Sequence, residues 1–282
     1  MLATLRSLLL SSHPGPTATV TVLAVVLGAG SGLGPGRVVL LGVAFLLGQL
    51  SIGFSNDWVD AARDRAVERR DKPVARGDVS VTTVRTAAWV TAALTVPASF
   101  GLGWQAAVAH LVLVASGWAY NLGLKRTAWS VAPFVLSFGL LPAVVTLAAQ
   151  PPAVAAPWAL AVGGVFGVAI HFTNVLPDLE DDATTGVDGL PHRLGRVVSG
   201  VVAFVALAVA ALLVVLGPVL AGTSDAPGPL ALVALGVCLA VATAGVVLVV
   251  TRPPGRLLFQ LIIVASLVVA AQLALSGTVL TA

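Results

Sequence analysis

The chain has 282 residues, 58% of them hydrophobic and only 10% charged, with a mean hydropathy of +1.02. A soluble domain does not carry so apolar a composition, and the chain is long enough for several membrane spans, so the sequence predicts a polytopic membrane protein. The net charge of +3 and the pI near 9.8 express orientation in the bilayer, and no nucleic-acid partner follows from them.

Residues 1–16 hold one cation, Arg6, and a short apolar run without a small-residue cleavage site, so no signal peptide is expected. Apolar runs of about 20 residues then recur, each able to cross a hydrocarbon layer of roughly 30 Å as a helix. The expected spans are roughly 17–33, 37–57, 80–103, 105–122, 128–149, 153–176, 196–221, 228–251 and 257–280. Helices are required because lipid offers no partner for an open backbone amide, and the Ala, Val, Leu and Gly runs lack the alternation of a membrane barrel. The fold class is therefore all-α, nine transmembrane helices in one bundle that occupies the whole chain, 1–282. The turn chemistry at "GPGR" (34–37), "PP" (151–152), "GTSDAPGP" (222–229) and "RPPG" (252–255) supports the divisions. The connection around Trp104 is nearly absent. The corresponding acids and spacing hint at a duplication of the first four helices in the next four, with the ninth extra. Cys238 is the single cysteine and lies within a span, which excludes an intrachain disulfide and reads as a packed small hydrophobe.

In this nine-helix arrangement all Lys and Arg except Arg37 fall on one face, which the positive-inside rule makes cytoplasmic, with the amino terminus inside and the carboxyl terminus outside. The predicted location is the plasma membrane. The acids are distributed less evenly still. Asp57, Asp60, Asp64, Glu68, Asp71 and Asp78 follow the second span, Asp178, Glu180, Asp181, Asp182 and Asp188 follow the sixth, and only Asp225 lies elsewhere. Orientation does not demand acids, so some other demand placed them there.

Asn56, Asp60 and Asp64 are spaced i, i+4, i+8, and so are Asn174, Asp178 and Asp182, which on helices gives two acidic stripes. Asp57 adds a fourth member to the first. Carboxylates stacked on one face repel each other unless cations lie among them, and the cost rises as the dielectric falls at the membrane edge. Mg²⁺ takes octahedral oxygen ligands, commonly one or two carboxylates together with substrate phosphates, so two facing clusters would clamp a diphosphate through bridging metals. Ca²⁺ fits less well, since its sites draw more protein oxygens from one loop. A solvated charged loop is the competing explanation for the first stripe taken alone, and the recurrence at a second helix end weighs against it.

These residues resemble the UbiA superfamily of intramembrane prenyltransferases. "NDWVDAARD" is similar to its first Asp-rich motif, NDxxDxxxD, and "DLEDDATTGVDGLPHRLG" to its second, with Asp178, Glu180, Asp182, Gly186, Leu190, Pro191, Leu194 and Gly195 in register. Asp181 and Gly189 stand where the family commonly has Gly and Thr. "YNLGLKRTAWS" resembles the family's loop after the fourth span, and "SHPGPT" its prolyl lead-in to the first. The resemblance implies a bundle around a cavity open to the cytoplasm and to lipid. It also implies Mg²⁺ dependence, a polyprenyl diphosphate donor, and transfer of the prenyl group to an aromatic or lipid-like acceptor: an enzyme of the class that transfers alkyl groups other than methyl.

Asp57, Asp60, Asp64, Asp178 and Asp182 are the expected metal ligands, with Asp60, Asp64, Asp178 and Asp182 the catalytic set and Asn56 and Asn174 in the same shell. Lys125, Arg126, Lys72 and Arg76 are the expected diphosphate contacts, although inside-loop charge also accounts for them. Tyr120 either stacks on a prenyl cation or anchors a helix end at the interface. His171, one turn before Asn174, is expected to line the cavity. His110 reads as packing or a helix–helix hydrogen bond, and most of the tryptophans as an interfacial belt. The same apparatus would also serve a terpene cyclase or a carotenoid elongase. A transporter of lipid diphosphates or cations is the non-enzymatic alternative, but its sites belong near the midplane rather than at helix ends.

Overall fold

The computed structural model describes residues 2–69, 72–179, 186–251, 256–275 and 280–281. Among these lie twelve α-helices: α1 (Leu2–Leu10), α2 (Pro14–Gly30), α3 (Pro35–Ala66), α4 (Pro73–Arg76), α5 (Val81–Phe100), α6 (Trp104–Leu122), α7 (Ala132–Leu147), α8 (Pro157–Val175), α9 (Leu190–Leu194), α10 (Arg196–Leu220), α11 (Pro229–Thr251) and α12 (Arg256–Leu275). The only β-pairing among the described residues is an isolated bridge between Ala155 and Thr281. All but α1, α4 and α9 fall, in order, on the expected apolar runs. Of these, α3, α8, α10 and α11 are both long and apolar enough to cross a membrane by length and composition.

Helix starts follow the prolines. Pro14, Pro35, Pro73 and Pro157 each occupy the first turn, where the missing amide hydrogen costs nothing. The near-absent connection at Trp104 is the three residues 101–103, closed by Gly103 at φ 108, a conformation only glycine adopts freely. Two elements depart from expectation. Residues 2–10 form a helix of their own, packed on α4. And α3 does not stop at Asp57 but continues to Ala66, because the polar segment that follows the apolar run is rich in Ala and Arg and free of Gly and Pro. Its end closes with Glu68 in the left-handed region, the Arg69 amide donating to Asp64 O at 2.9 Å and the Glu68 amide to Arg65 O at 3.2 Å.

The packing forms a ring: α2 on α3, α3 on α6, α6 on α7, α7 on α8, α8 on α10, α10 on α12, and α12 back on α2. Outside it, α5 covers the α3–α6 seam and α11 the α10–α12 seam. Small residues permit close approach. A Cβ at Gly163 or Gly167 would lie 2.1 or 2.3 Å from the carbonyl oxygens of Phe138 and Phe134 on α7, so α7 and α8 meet backbone to backbone. Cys238 is buried on α11 as a plain packing residue, and His110 bonds Ser99 Oγ through Nδ1 at 2.7 Å across the α5–α6 pair.

Candidate active site

The lower part of α3 carries three carboxylates that are almost fully withdrawn from the surface: Asp57 is 1% exposed, Asp60 2% and Asp64 2%. Because α3 is continuous through this stretch, the predicted i, i+4, i+8 row of Asn56, Asp60 and Asp64 exists as a row. Cations lie among the acids as the repulsion argument requires. Lys125 Nζ sits 2.5 and 2.6 Å from the two oxygens of Asp60. Arg63 Nη2 lies 3.0 Å from Asp60 Oδ2 and 3.3 Å from Asp64 Oδ1. Lys72 Nζ lies 2.6 Å from Asp57 Oδ1 and 3.4 Å from Asn56 Oδ1.

Each cation is delivered by a local device. After α6, residues Leu124–Arg126 tighten into a 3₁₀ turn that carries Lys125 inward and leaves Arg126 exposed. Burial pushes the Lys125 ammonium below the ordinary lysine value, and the Asp60 carboxylate draws it back up. Lys72 immediately precedes the short helix α4, which Gly77 ends at φ 82. Arg76, one turn on, pairs with the exposed Asp78 rather than with the row.

His13 is a member that sequence reasoning missed. Its Nε2 lies 2.9 Å from Asp57 Oδ1 and 2.9 Å from Lys72 Nζ. The cause is backbone: His13 is held at φ 53, ψ 64, and a Cβ at Gly53 would fall 2.2 Å from Ser12 O, so only glycine lets the α1–α2 corner rest on α3 one turn before Asp57. No sequence pattern marks His13, which is 44 positions from its partner. Asn121 was missed too. It accepts from Asn56 Nδ2 at 3.1 Å and donates to Ile52 O and Ser55 Oγ at 2.9 and 2.8 Å, tying the end of α6 to α3.

The second stripe is different. α8 ends at Val175, and Leu176–Asp178, with Pro177 inside, winds as a 3₁₀ turn, so Asn174 and Asp178 do not share a regular α-helical face. Asn174 is exposed at the end of α8. The side chain of Asp178 and the whole of Asp182 lie outside the described residues. His171 is buried and does not line the cleft described below. Its Nε2 is 3.1 Å from Ser130 Oγ, which also accepts from the Leu190 amide at 2.9 Å, so His171 ties α8 to the start of α9. Tyr120 and Phe134 stand beside it, with ring centroids 5.8 and 4.8 Å away.

Next to the acidic row lies a half-open cleft of about 100 Å³, lined by α2, α3, α6 and α7 residues that include Gln49, Ile52, Tyr120, Phe134 and Phe138. Gln49, Ile52, Asn56 and Asp60 follow one another at helical spacing, so a single face of α3 runs from the cleft wall into the charged row. A second, much smaller space of about 20 Å³, lined by apolar residues, adjoins it and shares Phe138 and Leu141.

The oxygen-only donor set suits a hard divalent cation. Asp57 Oδ2 is buried and has no hydrogen-bond partner among the described residues, and an orphaned carboxylate oxygen of that kind fits a metal. Among the described residues alone, no three His, Cys, Asp or Glu side chains converge closely enough to hold an ion. The α3 row by itself therefore does not form a metal centre among the described residues.

Known proteins agree with this architecture. Solved structures superimpose on nearly the whole chain. A UbiA homologue from Archaeoglobus fulgidus bound to GPP and Mg²⁺ has a TM-score of 0.71 at 14% identity, covering 96% of this chain and 99% of its own. An apo UbiA homologue from Aeropyrum pernix has a TM-score of 0.71 at 18% identity, covering 91% and 96%. A digeranylgeranylglyceryl phosphate synthase studied in membranes has a TM-score of 0.67 at 14% identity, covering 99% of both chains. At such identities the likeness is one of fold, and no curated protein matches the sequence. The sequence itself matches the UbiA prenyltransferase family over residues 17–267, nearly its full length, and the chain belongs to that family.

Proposed function

We propose that this protein is a Mg²⁺-dependent intramembrane prenyltransferase that moves a prenyl group from a polyprenyl diphosphate to an aromatic or lipid-like acceptor. The observation that carries the reading is the single face of α3 on which an apolar cleft runs into three buried carboxylates already interleaved with Lys125, Arg63 and Lys72. A prenyl diphosphate has that same polarity, an apolar chain ending in a dense anion. Similar solved structures hold GPP or DMAPP together with Mg²⁺.

Asp57, Asp60 and Asp64 would hold the metal from α3, with Asp178 and Asp182 expected opposite. Bound there, Mg²⁺ offsets the charge that builds on the diphosphate as it departs. Lys125, Arg63 and Lys72 have donors to turn from carboxylate to phosphate oxygens, with Asn56 beside them. The C1–O bond breaks with its electron pair leaving on the diphosphate. The acceptor's electron pair then forms the new bond to C1, and the proton the acceptor loses leaves with the diphosphate. The apolar walls of the cleft keep water from capturing the cationic carbon, and the Tyr120 and Phe134 faces favour it. We assign the nine long helices to nine crossings and the charged end to the cytoplasmic side of the plasma membrane, on the distribution of Lys and Arg.

The test is to incubate purified protein with Mg²⁺ and labelled prenyl diphosphates, with and without a panel of acceptors. Prenylated product that forms only with acceptor supports the transferase. Diphosphate release with a cyclic hydrocarbon and no acceptor points to the cyclase instead, and no release under any condition refutes both.

A further inference from the structure

The two ends of the second acidic segment meet at one hydroxyl. Ser130 Oγ, only 1% exposed as a residue, lies 3.1 Å from His171 Nε2 before the segment and accepts from the Leu190 amide after it at 2.9 Å. Asp178 and the rest of that motif lie between the two contacts in sequence. Gly189, at the N-cap of α9, has no side chain to accept from the open amides of the first turn, and Ser130 accepts in its place from 60 positions away. On the other side Ser199 Oγ donates to Pro191 O at 2.9 Å, so α9 is held from α10 as well.

The same contact bears on Lys125. A Cβ at Gly189 would fall 2.6 Å from Lys125 O and 2.9 Å from Ser130 Oγ. Gly189 has φ −71° and ψ 173°, a conformation open to any residue, so the lack of space is what requires glycine there. The turn from Leu124 to Ser130 is braced from within. Thr127 Oγ1 donates to Leu124 O at 2.9 Å and accepts from the Trp129 amide at 3.1 Å, and the Ser130 amide donates to Thr127 O at 3.1 Å. Packed this closely, the turn passes a displacement at Ser130 or at Lys125 O on to the Lys125 side chain, whose Nζ reaches Asp60 at 2.5 and 2.6 Å.

We propose that Gly189 and Ser130 form a clasp that positions Lys125 for the donor diphosphate, setting the Lys125 turn and the base of the second acidic segment in one register. Both are positioning residues, acting through Lys125. This inference rests on the transferase reading above, which makes Lys125 a diphosphate contact. It adds the device that holds the ammonium in place: a glycine that leaves room for the turn, and a hydroxyl that ties the turn to α8 and α9.

The experiment measures binding of geranyl S-thiolodiphosphate, an unreactive donor analogue, to purified full-length protein with Mg²⁺. Wild type, Gly189→Ala, Lys125→Met and the double variant are compared, with thermal unfolding in detergent to establish that each is folded. Gly189→Ala is expected to weaken binding about tenfold, the range of one lost hydrogen bond to a charged group. In the Lys125→Met background the same change is expected to add less than about twofold, because both substitutions act on one contact. A glycine with only a structural role gives independent factors that multiply. Such multiplication, or unchanged binding by a folded Gly189→Ala protein, overturns the clasp while leaving the transferase standing. If Gly189→Ala or the double variant does not fold, Thr127→Val, which loosens the same turn at a half-buried position, decides alone. It is expected to weaken binding about threefold or more, and unchanged binding overturns the clasp. A wild-type protein that neither binds the analogue nor releases diphosphate from a prenyl diphosphate refutes the transferase reading, and this inference with it.

Discussion

Asp60 is the residue on which most of the site converges, since it holds Lys125 through both oxygens and Arg63 through one. Asp60→Asn keeps the shape and loses the charge, so transfer is expected to fall by about 10²–10³-fold in the folded protein, and Asp178→Asn to behave alike. Asp225→Asn, in the exposed turn on the opposite side, is expected to leave turnover unchanged. Steady-state rates at saturating donor separate these outcomes. Lys72 and Arg76 should also part company. Lys72→Met removes a contact to the row and is expected to raise donor KM about tenfold or more, whereas Arg76→Met disturbs a partly exposed pair with Asp78 and should shift it little. His13 supports Asp57 from outside the expected ligand set, so His13→Ala is expected to raise the Mg²⁺ concentration for half-maximal activity about tenfold, as loss of such support typically does. The gathering of Asp60 and Asp64 into a row on α3 was legible because charge is scarce in this chain and its spacing is helical. His13 and Asn121 were not, because their roles come from contacts across 44 and 65 positions that no local pattern records.

At the scale of elements, helix existence was readable from apolar length and proline punctuation, while extent was not. α3 runs past its apolar segment because Ala and Arg sustain a helix outside the membrane as well as Val and Leu do inside it, and hydropathy alone sees only the second. The second stripe runs differently: the i, i+4, i+8 spacing is present in the sequence, but α8 ends at Val175 and Leu176–Asp178, with Pro177 inside, winds as a 3₁₀ turn. The α7–α8 contact gives a further expectation. Gly163→Ala places a methyl group 2.1 Å from Phe138 O, where backbone must move, and should destabilise by about 1–3 kcal/mol. Gly236→Ala on α11 meets nothing within 4 Å and should be neutral or slightly stabilising. Thermal unfolding in detergent distinguishes the two.

For the whole molecule, the distribution of cations predicts that the end bearing Glu68 faces the cytoplasm and the end bearing Ala226 faces outward. In a Cys238→Ala background, an impermeant maleimide added to intact cells should label Ala226→Cys and spare Glu68→Cys; the reverse pattern inverts the orientation. The ring of helices explains why one end must be charged and the middle apolar: α3, α6 and the turn at Lys125 bring the acids, the ammonium groups and the cleft onto one continuous face. The most direct test of that account is prenyl transfer by purified wild-type protein and Asp60→Asn, measured after chelation and again after Mg²⁺ is restored. Wild-type transfer is expected to vanish on chelation and return with Mg²⁺, with Asp60→Asn regaining only about 10⁻²–10⁻³ of the wild-type rate. Full wild-type transfer in metal-free buffer, or near wild-type turnover by a folded Asp60→Asn, would contradict the assignment of the buried α3 row as the metal and diphosphate site.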